Sequence, residues 1–175
     1  AYAGVFEVAT GLDPHRAPDE ALLEQAAANG LAGRGHDRRS LLDFLFGAVA
    51  APGLGLARPV LVYDFPACQA ALARVRDDDP PVAERFELFI GGMEIANGFH
   101  ELTDAAEQRR RFEADLARRR QEGRDTPPID ERLLSALEAG LPPSAGVALG
   151  FDRLVMLALG ALKIDEILAF PLSRA

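Results

Sequence analysis

Two glutamates on either side of a glycine pair have the residue types and spacing to do chemistry. Alternating polar and apolar residues precede Gly91 and Gly92, and a second strand-like run follows them. This pattern predicts a β-hairpin with a two-residue turn. Because side chains alternate along a strand, one face of the hairpin would carry Glu87, Phe89, Glu94 and Ala96. Glu87 and Glu94 would then be diagonal neighbours.

Two carboxylates on one sheet face repel each other unless a cation lies between or beside them. Oxygen ligands of this kind suit Mg²⁺, which keeps several waters and also binds substrate phosphates. Glu87 and Glu94 are therefore candidates to hold Mg²⁺ and ATP. The spacing alone leaves a second interpretation open, in which both side chains lie on a solvated outer face.

A second candidate site follows along the same strand, where Asn97, Phe99 and Glu101 alternate onto one face. Glu101 could supply charge for an ammonium group, Asn97 a hydrogen bond and Phe99 an aromatic wall. Strict alternation places Asn97 on the face opposite Glu94, unless a β-bulge, for which Gly98 is the candidate, changes the register. An ordinary edge strand entering a loop is the alternative.

The third candidate site is an arginine at the predicted change from a buried strand to a helix. Small residues at Gly146, Ala148 and Gly150 leave room on one strand face, where a ligand could approach the backbone. Arg153 falls in the first helical turn, where the helix dipole already disfavours positive charge. An anion such as a triphosphate would explain an arginine there. A structural pair between Arg153 and Asp152 is the alternative.

The predicted fold class is α+β, an antiparallel sheet with flanking helices. Apolar periodicity and helix start and stop signals predict helices near 19–26, 37–50, 104–123, 130–139 and 152–159. Strands are predicted at 59–65, 85–90, 93–99, 145–150 and 167–170. The first third is expected to be helical and peripheral.

Composition limits the function further. The 175 residues carry a formal charge of −8, which argues against non-specific nucleic-acid binding. The single cysteine, Cys68, excludes an internal disulfide, favours a reducing cytoplasmic compartment and is expected to be at least partly buried. Apolar runs are too short for a membrane span. The arginine runs 109–111 and 118–120 are interpreted as a solvated helix face, with contact to an acidic partner protein as the alternative.

Three segments together resemble the class II lysyl-tRNA synthetases: residues 84–87, 94–104 and 146–156. The last of them is similar to the third signature motif of that class. Within the family, residues 65–73, His100 and Thr103 look more like the branch that attaches a lysine-like residue, usually (R)-β-lysine, to elongation factor P. Ala148 stands where lysyl-tRNA synthetases typically have glycine, and one added methyl could select a differently placed amino group.

The resemblance implies the C-terminal part of a class II catalytic domain, with 1–57 as a helical connecting region and 58–175 as a sheet carrying half of the active site. By position, it implies Mg²⁺–ATP binding by Glu87 and Glu94, nucleotide contacts by the Ile95 backbone and Gly150, a γ-phosphate contact by Arg153, and an amino-acid pocket of Asn97, Phe99, Glu101 and Ala148. Arg153 and Glu94 would be the catalytic residues. The implied reaction forms an aminoacyl-adenylate from ATP and passes the acyl group to a protein lysine.

The first and second motifs of the class find no match in these residues. In the family, the second supplies an arginine for the α-phosphate, and the first makes the dimer interface. The chain alone is therefore expected to be inactive, and a homodimer would form through upstream residues. The alternatives are a fragment of a lysyl-tRNA synthetase and a catalytically inactive, synthetase-like binding protein.

Overall fold

The computed structural model describes residues 1–33 and 35–171. The helices are α1 (Tyr2–Thr10), α2 (Asp19–Ala28), α3 (Arg38–Leu45), α4 (Ala105–Gln121), α5 (Glu131–Gly140) and α6 (Phe151–Leu159). The strands are β1 (Val60–Pro66), β2 (Val75–Arg76), β3 (Val82–Ile90), β4 (Met93–His100) and β5 (Ala145–Leu149). These elements confirm the α+β class. Across the described residues, the helices are too short or too polar to cross a membrane.

The sheet is antiparallel with strand order β1-β3-β4-β5, and β2 pairs with the beginning of β3. The predicted hairpin of β3 and β4 is confirmed. Gly91 and Gly92 have φ angles of 60° and 76°, so both turn positions need the left-handed backbone that glycine adopts without strain. The turn places Ile90 opposite Met93 and Phe89 opposite Glu94, as the alternation predicted.

A β-bulge at Ile95 changes the register beyond the turn. Phe89 pairs with Glu94, but Leu88 pairs with Ala96, so Ile95 is the extra residue on β4. The prediction that Glu87 faces Ala96 is wrong, because Glu87 lies opposite Asn97. Ala96 consequently leaves the face of the two glutamates, and Asn97 joins it.

Gly98 is not the bulge that the sequence suggested. A Cβ atom at Gly98 would lie 2.5 Å from the backbone oxygen of Gly146 and 2.7 Å from the ring of Phe86. Gly98 is therefore explained by the close approach of its neighbours on β5 and β3, a second reason for glycine inside a strand.

The main core lies between the sheet and the helices of the first third. Tyr2 stacks on Phe46 with ring centroids 4.7 Å apart, and its ring centroid is 4.8 Å from that of Phe65 on β1. Other buried members of this cluster are Phe6, Leu22, Leu41, Leu42, Leu45, Val62 and Phe89. The expectation of a peripheral first third is wrong, since α1, α2 and α3 supply much of the apolar surface that the sheet buries.

Three further expectations are corrected. The prediction that β5 is buried is wrong, because all five of its residues are exposed in the described structure. Residues 167–170 are not a strand, because the N–H groups of Ile167 and Leu168 both donate to the Ile164 carbonyl in a local turn. Cys68 is exposed.

We expect Gly98→Ala to lower the free energy of unfolding by about 1–3 kcal/mol, because the added methyl overpacks the junction of three strands. Gly4→Ala is the matched control. Gly4 lies in α1, and no atom lies within 4 Å of the position that an added methyl group would take, so alanine there should stabilise the helix by about 0.5–1 kcal/mol. Urea denaturation of both variants measures the two effects, and equal unfolding midpoints would contradict the steric argument.

Candidate active site

An open cleft of about 650 Å³ lies between the β3–β4 hairpin, the end of α3 and the beginning of α6. Its charged and amide side chains are Asp43, Gln69, Arg85, Glu87, Glu94 and Arg153. Glu87, Glu94 and Arg153 are candidates from two separate sequence segments. The fold brings these three residues to one cleft.

Glu87 is buried, with 6% of its surface exposed, so the interpretation as a solvated hairpin face is wrong for this residue. Its Oε1 accepts hydrogen bonds from Arg85 Nη2 and, at 3.1 Å, from Asn97 Nδ2. Burial raises the pKa of the Glu87 carboxyl, Arg85 opposes that rise, and the nearby Glu94 adds to it. Glu87 is thus a carboxylate whose ionised form needs a nearby positive charge.

Asn97 connects the two glutamates. Its Nδ2 lies 3.1 Å from Glu87 Oε1 and 3.4 Å from Glu94 Oε1, a contact that the bulge at Ile95 makes possible. Its Oδ1 is buried and has no hydrogen-bond partner among the described residues. A buried acceptor without a donor costs free energy, so a ligand N–H group at this position would be favourable.

Arg153 extends from the first turn of α6 to the hairpin. Its Nη1 donates to the Glu94 backbone oxygen at 2.7 Å and lies 3.7 Å from Glu94 Oε2. The carboxylate that pairs with Arg153 is therefore Glu94, not Asp152 as the alternative proposed. Half of the Arg153 side chain is exposed, which leaves guanidinium N–H groups available to a ligand in the cleft.

Gly150 fixes the beginning of α6 against the bulge. Its N–H donates to the Ile95 carbonyl at 2.8 Å, and the Arg153 side chain packs over Gly150 at ordinary van der Waals distance. Gly150 also leaves the first turn of α6 without a side-chain cap. Helix N-termini of this kind favour anions.

The remaining predicted pocket residues share the sheet face of Glu87 but lie outside the lining of the cleft. Asn97 pairs with Ala148, and Phe99 pairs with Gly146 on β5. The Glu101 carboxylate lies over Gly146, because a Cβ there would come within 2.8 Å of Glu101 Oε1. Phe99, Glu101 and Ala148 therefore continue the surface that begins at Asn97.

The sequence interpretation missed three polar residues of the cleft. Arg85 pairs with Glu87, donates to the Gln69 backbone oxygen at 2.9 Å and covers the Phe65 ring at 4.7 Å. Its position two residues before Glu87 on the same strand was a usable signal. Gln69 donates to Asp43 Oδ1 at 2.6 Å, a contact between separate elements that local spacing could not reveal.

The donor set is small for a dedicated metal cage. The described residues contain no cluster of three or more His, Cys, Asp or Glu side chains suited to a metal ion. Two carboxylates, one buried and one at the cleft surface, suit an ion that takes its other ligands from water and substrate phosphates, as Mg²⁺ does.

The fold agrees with the sequence comparisons. Residues 55–174 match the class II tRNA synthetases of the D, K and N type, and the chain belongs to this family. The chain is 50% identical over 175 residues to the elongation factor P–(R)-β-lysine ligase of Haemophilus influenzae strain PittGG, covering 99% of this chain and 54% of that protein. It is 52% identical over 167 residues to the ligase of the same name from Edwardsiella ictaluri, covering 94% of this chain and 51% of the relative. The chain spans about half the length of these curated relatives.

Proposed function

We propose that this chain is part of an ATP-dependent ligase that activates (R)-β-lysine or lysine as an adenylate and transfers it to a lysine of elongation factor P. The observation that carries the proposal is the shared face of Glu87, Glu94 and Asn97 with Arg153 against Glu94. The relatives named as ligases of elongation factor P supply the acceptor. Cytoplasmic location remains a prediction.

The phosphate end of ATP would lie between the glutamates and α6. Glu87 and Glu94 would hold Mg²⁺, which neutralises phosphate charge, and Arg153 would pair with the terminal phosphate from the opposite side. The Ile95 backbone and Gly150 would lie against the nucleotide, because they join the hairpin to the beginning of α6. Positioning and charge stabilisation would then carry catalysis without a covalent enzyme nucleophile.

The amino-acid substrate would lie on the continuing sheet face. The unpartnered Asn97 Oδ1 would accept a hydrogen bond from a substrate amino group, and Glu101 would supply the opposite charge for an ammonium group. The Phe99 ring would form a wall between them. Asn97 also contacts both glutamates. A substrate whose amino group binds Asn97 would therefore have its neighbouring carboxylate close to the bound ATP.

ATP–pyrophosphate exchange on the full-length protein tests the adenylation step, with (R)-β-lysine, α-lysine and no amino acid compared. Mass spectrometry of elongation factor P after incubation tests transfer to a protein lysine. Exchange without transfer to the protein, together with charging of tRNA, would favour a lysyl-tRNA synthetase. Absence of exchange with either amino acid would favour the inactive binding protein. Residues 1–175 by themselves are expected to show no exchange, since the relatives are about twice as long.

We expect Ala148→Gly to shift the preference between (R)-β-lysine and α-lysine by about 10-fold, since one methyl in a pocket is worth about 1–3 kcal/mol. Ala148 lies directly opposite Asn97, so its methyl borders the proposed position of the amino group. The ratio of kcat/KM values for the two amino acids measures the shift. Ala145→Gly at the far end of β5 is the matched control. The same ratio of kcat/KM values in both variants would contradict a role of Ala148 in specificity.

A further inference from the structure

A second concave surface, which we call the arginine groove, adjoins the cleft at Asp43, which lines both. It has a volume of about 830 Å³ and runs between the beginning of α3, residues 67–72 and α4. The described residues that line it include six arginines: Arg38, Arg39, Arg111, Arg118, Arg119 and Arg124. They also include four carboxylates: Asp37, Asp43, Asp115 and Glu122. The lining residues thus include more arginines than carboxylates in a chain whose formal charge is −8, while Arg38 and Arg111 pair with Asp19 and Glu107 outside the lining.

Several of these arginines build the walls of the groove. Arg38 donates to the backbone oxygens of Pro14 and Ala17, and Arg111 donates to those of Ala71 and Ala73. These side chains are therefore partly buried structural groups.

The two arginine runs on α4, 109–111 and 118–120, are interpreted from the sequence as a solvated helix face. Only Arg110 and Arg120 of these six arginines are exposed, so that interpretation holds for part of the two runs.

Arg39 and Arg124 are less tightly held. Arg39 lies 3.7 Å from Asp43, and Arg124 lies 3.1 Å from Glu122, and both pairs are substantially exposed. Exposed pairs of this kind contribute little to folding, so their arginines can exchange partners at small cost. The two guanidinium groups can therefore pair with carboxylates that a partner brings.

A buried amide in the groove has an unpaired donor. Gln108 lines the groove from α4 with only 3% of its surface exposed, and its Nε2 has no hydrogen-bond acceptor among the described residues. Arg118 Nε, in the same groove, is also buried without an acceptor. Both atoms are donors, and buried donors are normally paired. These two donors are therefore unpaired although carboxylates line the groove, and an acceptor oxygen of an occupant would satisfy them.

We propose that the arginine groove binds an acidic polypeptide segment, whose carboxylates pair with Arg39 and Arg124 and one of whose oxygens accepts a hydrogen bond from Gln108 Nε2. A polypeptide fits better than a nucleic acid, because it can place single carboxylates at Arg39 and Arg124 and N–H groups at the groove carboxylates, whereas a phosphate backbone is continuously negative. The proposal goes beyond the ligase reaction and does not depend on ATP binding.

The probe is a fluorescein-labelled peptide of alternating Glu and Gly, and the reference peptide carries Gln in place of each Glu. Anisotropy titrations at low salt use the full-length protein, with a single-stranded RNA of equal charge as a third ligand. Saturable binding of the Glu peptide, weakened by added salt and absent for the Gln peptide, supports the proposal. Equal binding of both peptides, no binding of either, or tighter binding of the RNA overturns it.

Two sets of variants place the site. The double variant Arg39→Gln and Arg124→Gln should weaken binding of the Glu peptide by about 10-fold, as expected for loss of two exposed ion pairs. Arg110→Gln with Arg120→Gln makes the same charge change on exposed α4 positions outside the groove lining, and affinity should change by less than about 2-fold. Equal losses in the two double variants would show that only net charge matters and would refute the groove.

Gln108→Met separates binding from folding. Methionine has a similar shape and removes the unpaired buried donor, so the urea midpoint should stay the same or rise. Affinity for the Glu peptide should nevertheless fall about 5-fold or more, because the donor to the ligand is lost. Unchanged affinity of this variant for the Glu peptide would show that the buried Gln108 amide does not bind the peptide, and would refute the proposed hydrogen bond.

Discussion

Arg153→Ala is expected to lower ATP–pyrophosphate exchange by about 100- to 1,000-fold, the usual cost of removing a donor that stabilises transition-state charge. Arg153 connects the beginning of α6 to the hairpin, and half of its side chain remains open to the cleft. In the proposed reaction its guanidinium pairs with the terminal phosphate of ATP, which leaves together with the β-phosphate as pyrophosphate. ATP–pyrophosphate exchange is measured on the full-length protein at saturating amino acid and varied ATP. It gives the change in kcat and the change in KM for ATP.

Two controls distinguish this role from a structural one. Arg153→Lys keeps the charge but loses the planar fork, so it should recover only part of the exchange. Asp152→Asn changes the adjacent residue, which does not form the ion pair to Glu94, and should stay near the wild-type rate. Near-normal exchange in Arg153→Ala would refute the assignment. Circular dichroism shows whether the variant is folded.

Glu87→Gln is expected to lower exchange by about 100-fold and to raise the Mg²⁺ concentration that is needed, because the amide keeps the shape but loses the charge that holds a cation. The substitution also removes the ionic partner of the partly buried Arg85, which can cost up to about 3–5 kcal/mol of stability. Glu94→Gln is the second variant, since Glu94 lies at the cleft surface and is not the partner of Arg85. Wild-type Mg²⁺ dependence in folded samples of both variants would contradict the metal role.

The pH dependence of Mg²⁺ activation reports on the same carboxylate. Burial raises the pKa of Glu87 above its ordinary value, so its protonated form favours folding at low pH. That contribution to stability is present below the pKa of the unfolded chain and is lost as pH rises through the folded-state pKa. Mg²⁺ binds the ionised form, so the apparent Mg²⁺ affinity should fall as pH drops through the raised pKa. Glu87→Gln should lack this acid limb, and Glu94→Gln should retain it.

Much of the hairpin could be predicted because its signals are local. Two glycines with adjacent alternating residues specify the turn, and the structure confirms both strands and the facing of Phe89 and Glu94. Arg85 could also have been recognised from its spacing to Glu87. Asp43 and Gln69 could not, because their contact joins elements far apart in the chain and depends on how α3 packs against the turn at 67–69.

Residue types and short-range spacing alone were sufficient to identify the α+β class, the hairpin and the arginine at the beginning of α6. These features depend on turn chemistry, alternation and helix signals, which act over a few residues. Only the tertiary structure decided that the bulge falls at Ile95. Cross-strand hydrogen bonds set the register, and the fit of Gly98 between Phe86 and β5 accompanies it. That one-residue shift puts Asn97 beside Glu87 and Glu94, and so joins the proposed nucleotide and amino-acid sites on one face.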